Sequence, residues 1–319
     1  MPRLLVVAPN WIGDALMAQP LLTRLHAKLP GARIEVLAPP WVGPVARRMP
    51  EVAEVIDAPL RHGSLQLRAR WRLGRELKAR GYDQAIVLPN SWKSALVPFF
   101  ADIPLRSGYV GESRYGLLNL LYKNTQASMS LHYARLAEAP GTEPALPVPQ
   151  PRLQVSEQEI AAVKSKFGIA GDYLALCPGA EFGPAKRWPY FAELSRRAGL
   201  ATIALGAAGD VESAHGIEGA NLVGKTTLDE AVVLIAGARA VVSNDSGLMH
   251  VAAALRRPQV ALFGSSSPEH TPPANPAARV LWRHIECSPC YQRECPLGHF
   301  RCMKEMDVEM VLSQLKTDS

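Results

Sequence analysis

The chain alternates short apolar runs with longer segments of helical apolar spacing, and it does so twice, on either side of one proline-rich break. Strand-like runs fall at residues 3–8, 33–38, 54–57 and 84–88. Helical spacing fills 14–29 and 44–49 and covers a basic stretch over 61–80. Parallel neighbours need a crossover of a dozen or more residues, so this rhythm predicts a parallel sheet wrapped by helices, a doubly wound α/β domain. Residues 139–151 carry five prolines and no apolar period, which marks a linker. Beyond it the rhythm restarts. Helices are expected over 156–167, 189–198, 228–237, 248–255 and 307–315, and strands over 173–177, 201–205, 240–243 and 259–263. The 319 residues divide into a first domain over 1–150, a second over 151–305 and a terminal helical segment over 306–319. Two such domains facing each other across a cleft would turn both sets of strand ends toward one shared site.

An apolar content of 48% suits packed cores, and no stretch approaches the ~20 apolar residues that cross a bilayer. The first ten residues hold too short an apolar run for a secretory leader, so the cytoplasm is the expected compartment. The net charge of +6 is compatible with an acidic substrate, an anionic membrane face or nucleic acid. Its distribution is more informative: Arg61, Arg68, Arg70, Arg72, Arg75, Lys78 and Arg80 stand against the single acid Glu76, interleaved with leucines, which predicts a basic amphipathic helix. No helix-turn-helix, zinc-finger or RNA-binding aromatic signature accompanies it, which argues against nucleic acid.

Three strand-to-helix turns carry candidate chemistry. After the first strand, Asn10-Trp11-Ile12-Gly13-Asp14 stands where a dinucleotide-binding protein has its glycine fingerprint, but one glycine and a bulky indole leave little room for a pyrophosphate. Asp14 is either a first-turn acid at a helix start or a base for a hydroxyl nucleophile. Asn244-Asp245-Ser246-Gly247 closes an apolar run and opens a helix. Asp245 and Ser246 are either caps or, with Gly247, part of an anion cradle made by the helix amides. Between 177 and 189, glycines and Lys186 offer backbone approach and a cation for a leaving diphosphate. Asp210, after the strand at 201–205, is a weak candidate for ribose hydroxyls. Walker A, His-Glu-x-x-His, Gly-x-Ser-x-Gly and Asp-x-Asp motifs are all missing, so diphosphate chemistry here would rest on lysine and helix amides with no metal. Cys287, Cys290, Cys295 and Cys302 form a local cluster, flanked by His284 and His299, with one zinc-like spacing. Structural zinc and four reduced thiols are both open readings.

Together the motifs Pro9–Asp14, Leu88–Ala95, Arg114–Asn119, Pro178–Glu181 with Lys186–Pro189, and Asn244–His250 resemble the ADP-heptose:lipopolysaccharide heptosyltransferases along nearly the whole chain. The resemblance implies a glycosyltransferase B fold of two Rossmann-like domains, with the terminal helix packing back on the first. It implies an inverting, metal-independent transfer of heptose from ADP-heptose to an acidic lipopolysaccharide precursor, heptosyl-Kdo2-lipid A, at the cytoplasmic face of the inner membrane. Family members with other core acceptors, a nucleotide-sugar epimerase and a non-catalytic nucleotide- or lipid-binding module are the competing expectations. By motif, Asp14 resembles the general base and Lys186 the cation on the donor phosphates. Gly179, Glu181, Asp245, Ser246, Gly247 and His250 resemble donor-binding residues, Thr226 a position near the adenine, and Asp210 a ribose-binding acid with Glu212 as rival. Asn10, Arg61, Lys93, Arg106 and Arg114 are the expected acceptor contacts.

Overall fold

The computed structural model describes residues 1–61, 63–124 and 128–315. It divides into two compact units, Met1–Pro151 and Arg152–Ser319. The boundary falls at the end of the proline-rich segment, one residue beyond the expected position. In the first unit, β1 (Arg3–Val7), β2 (Arg33–Ala38), β3 (Glu54–Asp57), β4 (Gln84–Val87), β5 (Leu105–Tyr109) and β6 (Leu120–Tyr122) form one sheet in the order β3-β2-β1-β4-β5-β6. In the second, β7 (Tyr173–Cys177), β8 (Ala201–Ala204), β9 (Ala220–Asn221), β10 (Ala240–Asn244), β11 (Gln259–Phe263) and β12 (Ala278–Trp282) are ordered β12-β11-β10-β7-β8-β9. Every pairing is parallel. Each unit therefore has the doubly wound order in which the first strand lies centrally and the chain reverses direction beside it.

The central strands read as continuous apolar runs because helices cover both faces: Tyr173–Cys177 and Gln259–Phe263 are buried at every position. β5, β6, β9 and β12 were not anticipated, and each has a physical reason. β5 contains Arg106, Ser107 and Gly108, β6 and β9 are only three and two residues long, and β12 is a largely exposed edge. Glu35 on β2 is fully buried near the strand starts, away from the loops that build the sites. Burial alone would raise its carboxyl, but hydrogen bonds from Tyr82, Arg33, Arg80 and Arg3 bring it down to about 2.

Three helical expectations change. The helix expected over 14–29 is two, Ile12–Met17 and Gln19–Lys28. Pro20, at the start of the second, lacks an N–H and its ring crowds the preceding turn, so the axis restarts there. The basic helix is shorter, Leu67–Lys78, and begins after Gln66 in the left-handed region at φ 45°. Its charges are largely spoken for: Arg70 is buried, Arg75 and Lys78 bind Asp102, and Arg80 binds Glu35 and Glu54. Finally, the terminal helix is Val308–Leu315, one residue shorter than expected, and its apolar side chains join the second unit's core. Val308, Val311 and Leu312 pack with Trp188, Phe191, Leu194 and Leu262, where their apolar face is buried within its own unit.

Candidate active site

The second unit reverses its strand order between β7 and β10, the place where open α/β sheets bind ligands. The loops leaving these two strands meet there. Lys186 Nζ donates to Asp245 Oδ2 at 2.5 Å, and Ser266 Oγ, on the loop after β11, donates to the same oxygen at 2.5 Å. Asp245 is only 5% exposed. Its carboxylate is thus committed to a cation and a hydroxyl. Ser246 occupies the N-cap of helix Gly247–Ala254 in extended conformation, with no side-chain capping bond. A plain capping role for this pair does not describe the geometry, and the amide end of the helix faces the same strand-end region.

Asn244 locks the two loops together. Its amide nitrogen donates to Pro178 O at 2.7 Å and its oxygen accepts the Trp188 N–H at 3.0 Å. Trp188 is itself anchored by its indole N–H to Met306 O at 2.7 Å. Lys186 is therefore held two residues from a fixed point, which a surface lysine is not. Its ammonium also lies 4.9 Å from the centroid of the Phe182 ring. His250, one turn into the helix, is buried. That burial lowers its imidazole to about 4, outweighing the attraction of Asp245, with Lys186 lowering it further, so it is neutral at pH 7.

Asp210 reaches the same strand ends. Its carboxylate accepts the Ala207 N–H at 3.0 Å, lies 3.9 Å from the Arg187 guanidinium, and sits so close to Gly179 that a Cβ there would come within 2.2 Å of it. Glycine at 179 is thus what admits Asp210, whereas the rival Glu212 is exposed. Glu181 is exposed at its loop tip, and Thr226 is half-buried beside Thr227, which caps helix Leu228–Ala236 in a capping box with Glu230. Ser266 and the locking role of Asn244 were missed from sequence. A signal existed, since Gly264-Ser265-Ser266-Ser267 ends the β11 run as Asn244–Gly247 ends β10. Buried atoms without partners, Ser265 Oγ and Arg187 Nε, lie on these same loops.

In the first unit the order reverses between β1 and β4, and a cavity of about 500 Å³ opens beside their carboxyl ends. Asn10, Arg61 and Lys93 line it, with Arg70, Asn90 and Trp92. Three exposed indoles, Trp11, Trp41 and Trp92, stand on the loops after β1, β2 and β4, and the Trp41 N–H donates to Asn10 O at 2.8 Å. Arg106 and Arg114 are not in its wall. Arg114 is 1% exposed and donates to Tyr109 O, Pro89 O, Ser91 O and Ser94 Oγ, and its burial pulls its guanidinium down to about 10. Arg106 donates to Leu117 O at 2.7 Å and Ile103 O at 2.5 Å. Arg114 thus satisfies carbonyls of the 89–94 loop that lines the pocket, and Arg106 those of Ile103 and Leu117 outside its wall, so neither is placed as the expected ligand contact. Asp14 is the third residue of helix Ile12–Met17, half-buried, with Trp11 at the N-cap. It is close enough to the buried Tyr133 for its charge to reinforce the rise that burial imposes on that phenol.

The four clustered cysteines line one small cavity with His299. Cys287 Sγ lies 4.0 Å from His299 Nε2, and Cys295 Sγ 4.0 Å from Nδ1. Among the described residues, no group of three or more His, Cys, Asp or Glu side chains is arranged to hold a metal ion.

Two parallel six-stranded units, one carrying a cation–carboxylate pair at its strand-order reversal, have the glycosyltransferase B architecture. Residues 70–301 match glycosyltransferase family 9 (heptosyltransferase), and the chain belongs to that family. It is 48% identical to lipopolysaccharide heptosyltransferase 2 of Escherichia coli K12, covering 98% of this chain and 97% of that protein. It is 43% identical to lipooligosaccharide heptosyltransferase 2 of Haemophilus influenzae, covering 98% of each. The solved structure of E. coli ADP-heptose lipopolysaccharide heptosyltransferase II superposes with a TM-score of 0.89 at 40% identity, covering 99% of this chain and 98% of that one.

Proposed function

We infer that this chain transfers heptose from ADP-L-glycero-D-manno-heptose to heptosyl-Kdo2-lipid A, inverting the anomeric centre, in assembly of the lipopolysaccharide inner core. The observation that carries the reading is the Lys186–Asp245 pair at the second unit's strand-order reversal, in a chain that matches heptosyltransferase 2 proteins over nearly its whole length.

The acceptor hydroxyl gives its proton to Asp14 while its oxygen attacks the anomeric carbon. The bond from that carbon to the diphosphate oxygen breaks on the opposite face, and ADP leaves with the electron pair. Charge growing on the diphosphate is met by Lys186 and by the amide end of helix Gly247–Ala254, both oriented before reaction, so no metal is required. Asp245 and Ser266 aim the ammonium, and Asp210 receives the ribose. Asn10, Arg61 and Lys93 bind the acidic acceptor in the first-unit pocket, where the Trp92 indole offers a flat face for a sugar ring.

No described helix is long and apolar enough to cross a membrane. Exposed Leu65, Leu67 and Trp71 beside Arg68 and Arg72 support peripheral docking on the anionic cytoplasmic face of the inner membrane, where a lipid-anchored acceptor resides. The decisive assay combines purified protein, ADP-heptose and a panel of Kdo- and heptose-terminated acceptors, with and without chelator. Transfer to heptosyl-Kdo2-lipid A that survives chelation is expected. Transfer to none of the panel, or donor turnover without an acceptor, would remove the reading, and loss of transfer on chelation would overturn its metal-free step.

A further inference from the structure

The cysteine-flanked loop between Cys290 and Cys295 touches both walls of the donor site. The Arg293 carbonyl accepts the Ala185 N–H at 3.1 Å, one residue before Lys186, and the Tyr291 N–H donates to Ser265 O at 2.7 Å, one residue before the Ser266 that bonds Asp245. At Gly183, with φ at 144°, a Cβ would come within 2.5 Å of the Arg293 carbonyl, so the two backbones approach as only glycine allows. The side chain of Arg293 comes to the same place. Its guanidinium lies 5.5 Å from the Phe182 ring centroid and the Lys186 ammonium 4.9 Å from it, which puts the two charges at most about 10 Å apart. Lys186 has Asp245 as its counter-ion. Among the described residues, no carboxylate forms an ion pair with Arg293 that would offset the second charge.

We propose that Arg293 is a second cation for the diphosphate of the nucleotide-sugar donor, held beside Lys186 by the shared Phe182 ring and delivered by the cysteine-flanked loop. Arginine suits the task, because its planar fork binds phosphate oxygens two at a time where the lysine supplies a point charge. A diphosphate carries the negative charge that two neighbouring cations call for, and neither uncharged sugar nor adenine does. The inference rests on the donor-site reading above.

The test compares Arg293→Ala, Arg293→Lys and Lys186→Ala for binding of ADP by calorimetry and of adenosine by saturation-transfer NMR. Arg293→Ala keeps the backbone carbonyl that Ala185 needs, so the loop contact survives the change. It should weaken ADP by about tenfold, the loss of one charge-assisted contact, while adenosine stays within about twofold. Arg293→Lys should restore part of the loss. ADP affinity within about twofold of the parent, or equal losses for ADP and adenosine, would overturn the proposal, the second by showing a collapsed loop. If Lys186→Ala weakens ADP and Arg293→Ala does not, only this inference fails. If neither does, the donor site itself has been misplaced.

Discussion

Single side chains carry the chemistry, and two of them make separable predictions. Asp14→Asn removes a proton acceptor and keeps shape, so ADP-heptose binding should persist while turnover falls by roughly 10²- to 10⁴-fold. Donor-binding calorimetry alongside steady-state rates checks this, and near-normal turnover would return Asp14 to the role of a helix first-turn acid. His250 predicts a pH effect on stability. The folded state keeps its imidazole neutral down to about pH 4, whereas in the unfolded chain it takes up a proton near 6.5. Between those values the unfolded state binds more protons, so stability contributed at neutral pH is lost as pH falls from 6.5 toward 4. Urea denaturation at pH 7 and pH 4.5 should show the parent losing roughly 2–3 kcal/mol more than His250→Gln. Parallel losses in the two proteins would mean the imidazole is not held neutral. Residue type alone was legible at such positions, but fate was not. Lys93, Arg106 and Arg114 look alike on paper, yet Lys93 lines the pocket while the two arginines saturate loop carbonyls.

Elements were read well where hydrophobic period is strong and poorly where packing overrides it. Strands β2, β3, β7 and β11 fall at their expected residues; β2, β7 and β11 are covered on both faces and announce themselves as apolar runs, while β3 is a half-exposed edge. Strands of two or three residues cannot show a period, and they escaped. Helix Leu67–Lys78 illustrates the limit of propensity. Gly74 in its middle reads as a weak point whose change to alanine would gain up to about 1 kcal/mol in helix propensity. In the fold, a Cβ there would lie 2.5 Å from the Phe100 Cβ and 2.8 Å from the Val97 carbonyl, rigid atoms of the neighbouring helix. Overpacking at such contacts costs about 1–3 kcal/mol, so Gly74→Ala should destabilise the protein on balance. Chemical denaturation reads the sign, and a more stable variant would show that the two helices slide apart at little cost.

At the level of the whole molecule, the chain builds the same strand order twice and ends the two copies differently: one in a cation–carboxylate pair, the other in a pocket lined by Arg61, Trp92 and Lys93. A ligand confined to one copy should protect that copy. With ADP at a hundredfold excess over its Kd, stabilisation of the bound state by about 2.7 kcal/mol should slow amide exchange in β7, β10 and β11 and leave β1 and β4 near their free rates. Uniform protection of both units, or protection of the first alone, would contradict the assignment of the donor to the second. Amino-acid sequence by itself determined the number of units, their parallel sheets and the strand-end position of each motif, because apolar period, proline breaks and turn chemistry act over a few residues. Tertiary structure alone decided which of those motifs meet. Lys186 and Asp245 are 59 residues apart, and Ser266 is 21 beyond Asp245; the order in which β7, β10 and β11 lie side by side converts those separations into a single shared carboxylate oxygen. That same packing set the terminal helix in the second unit and brought Arg293 to the loop of Lys186, contacts between distant segments that leave no local pattern to read.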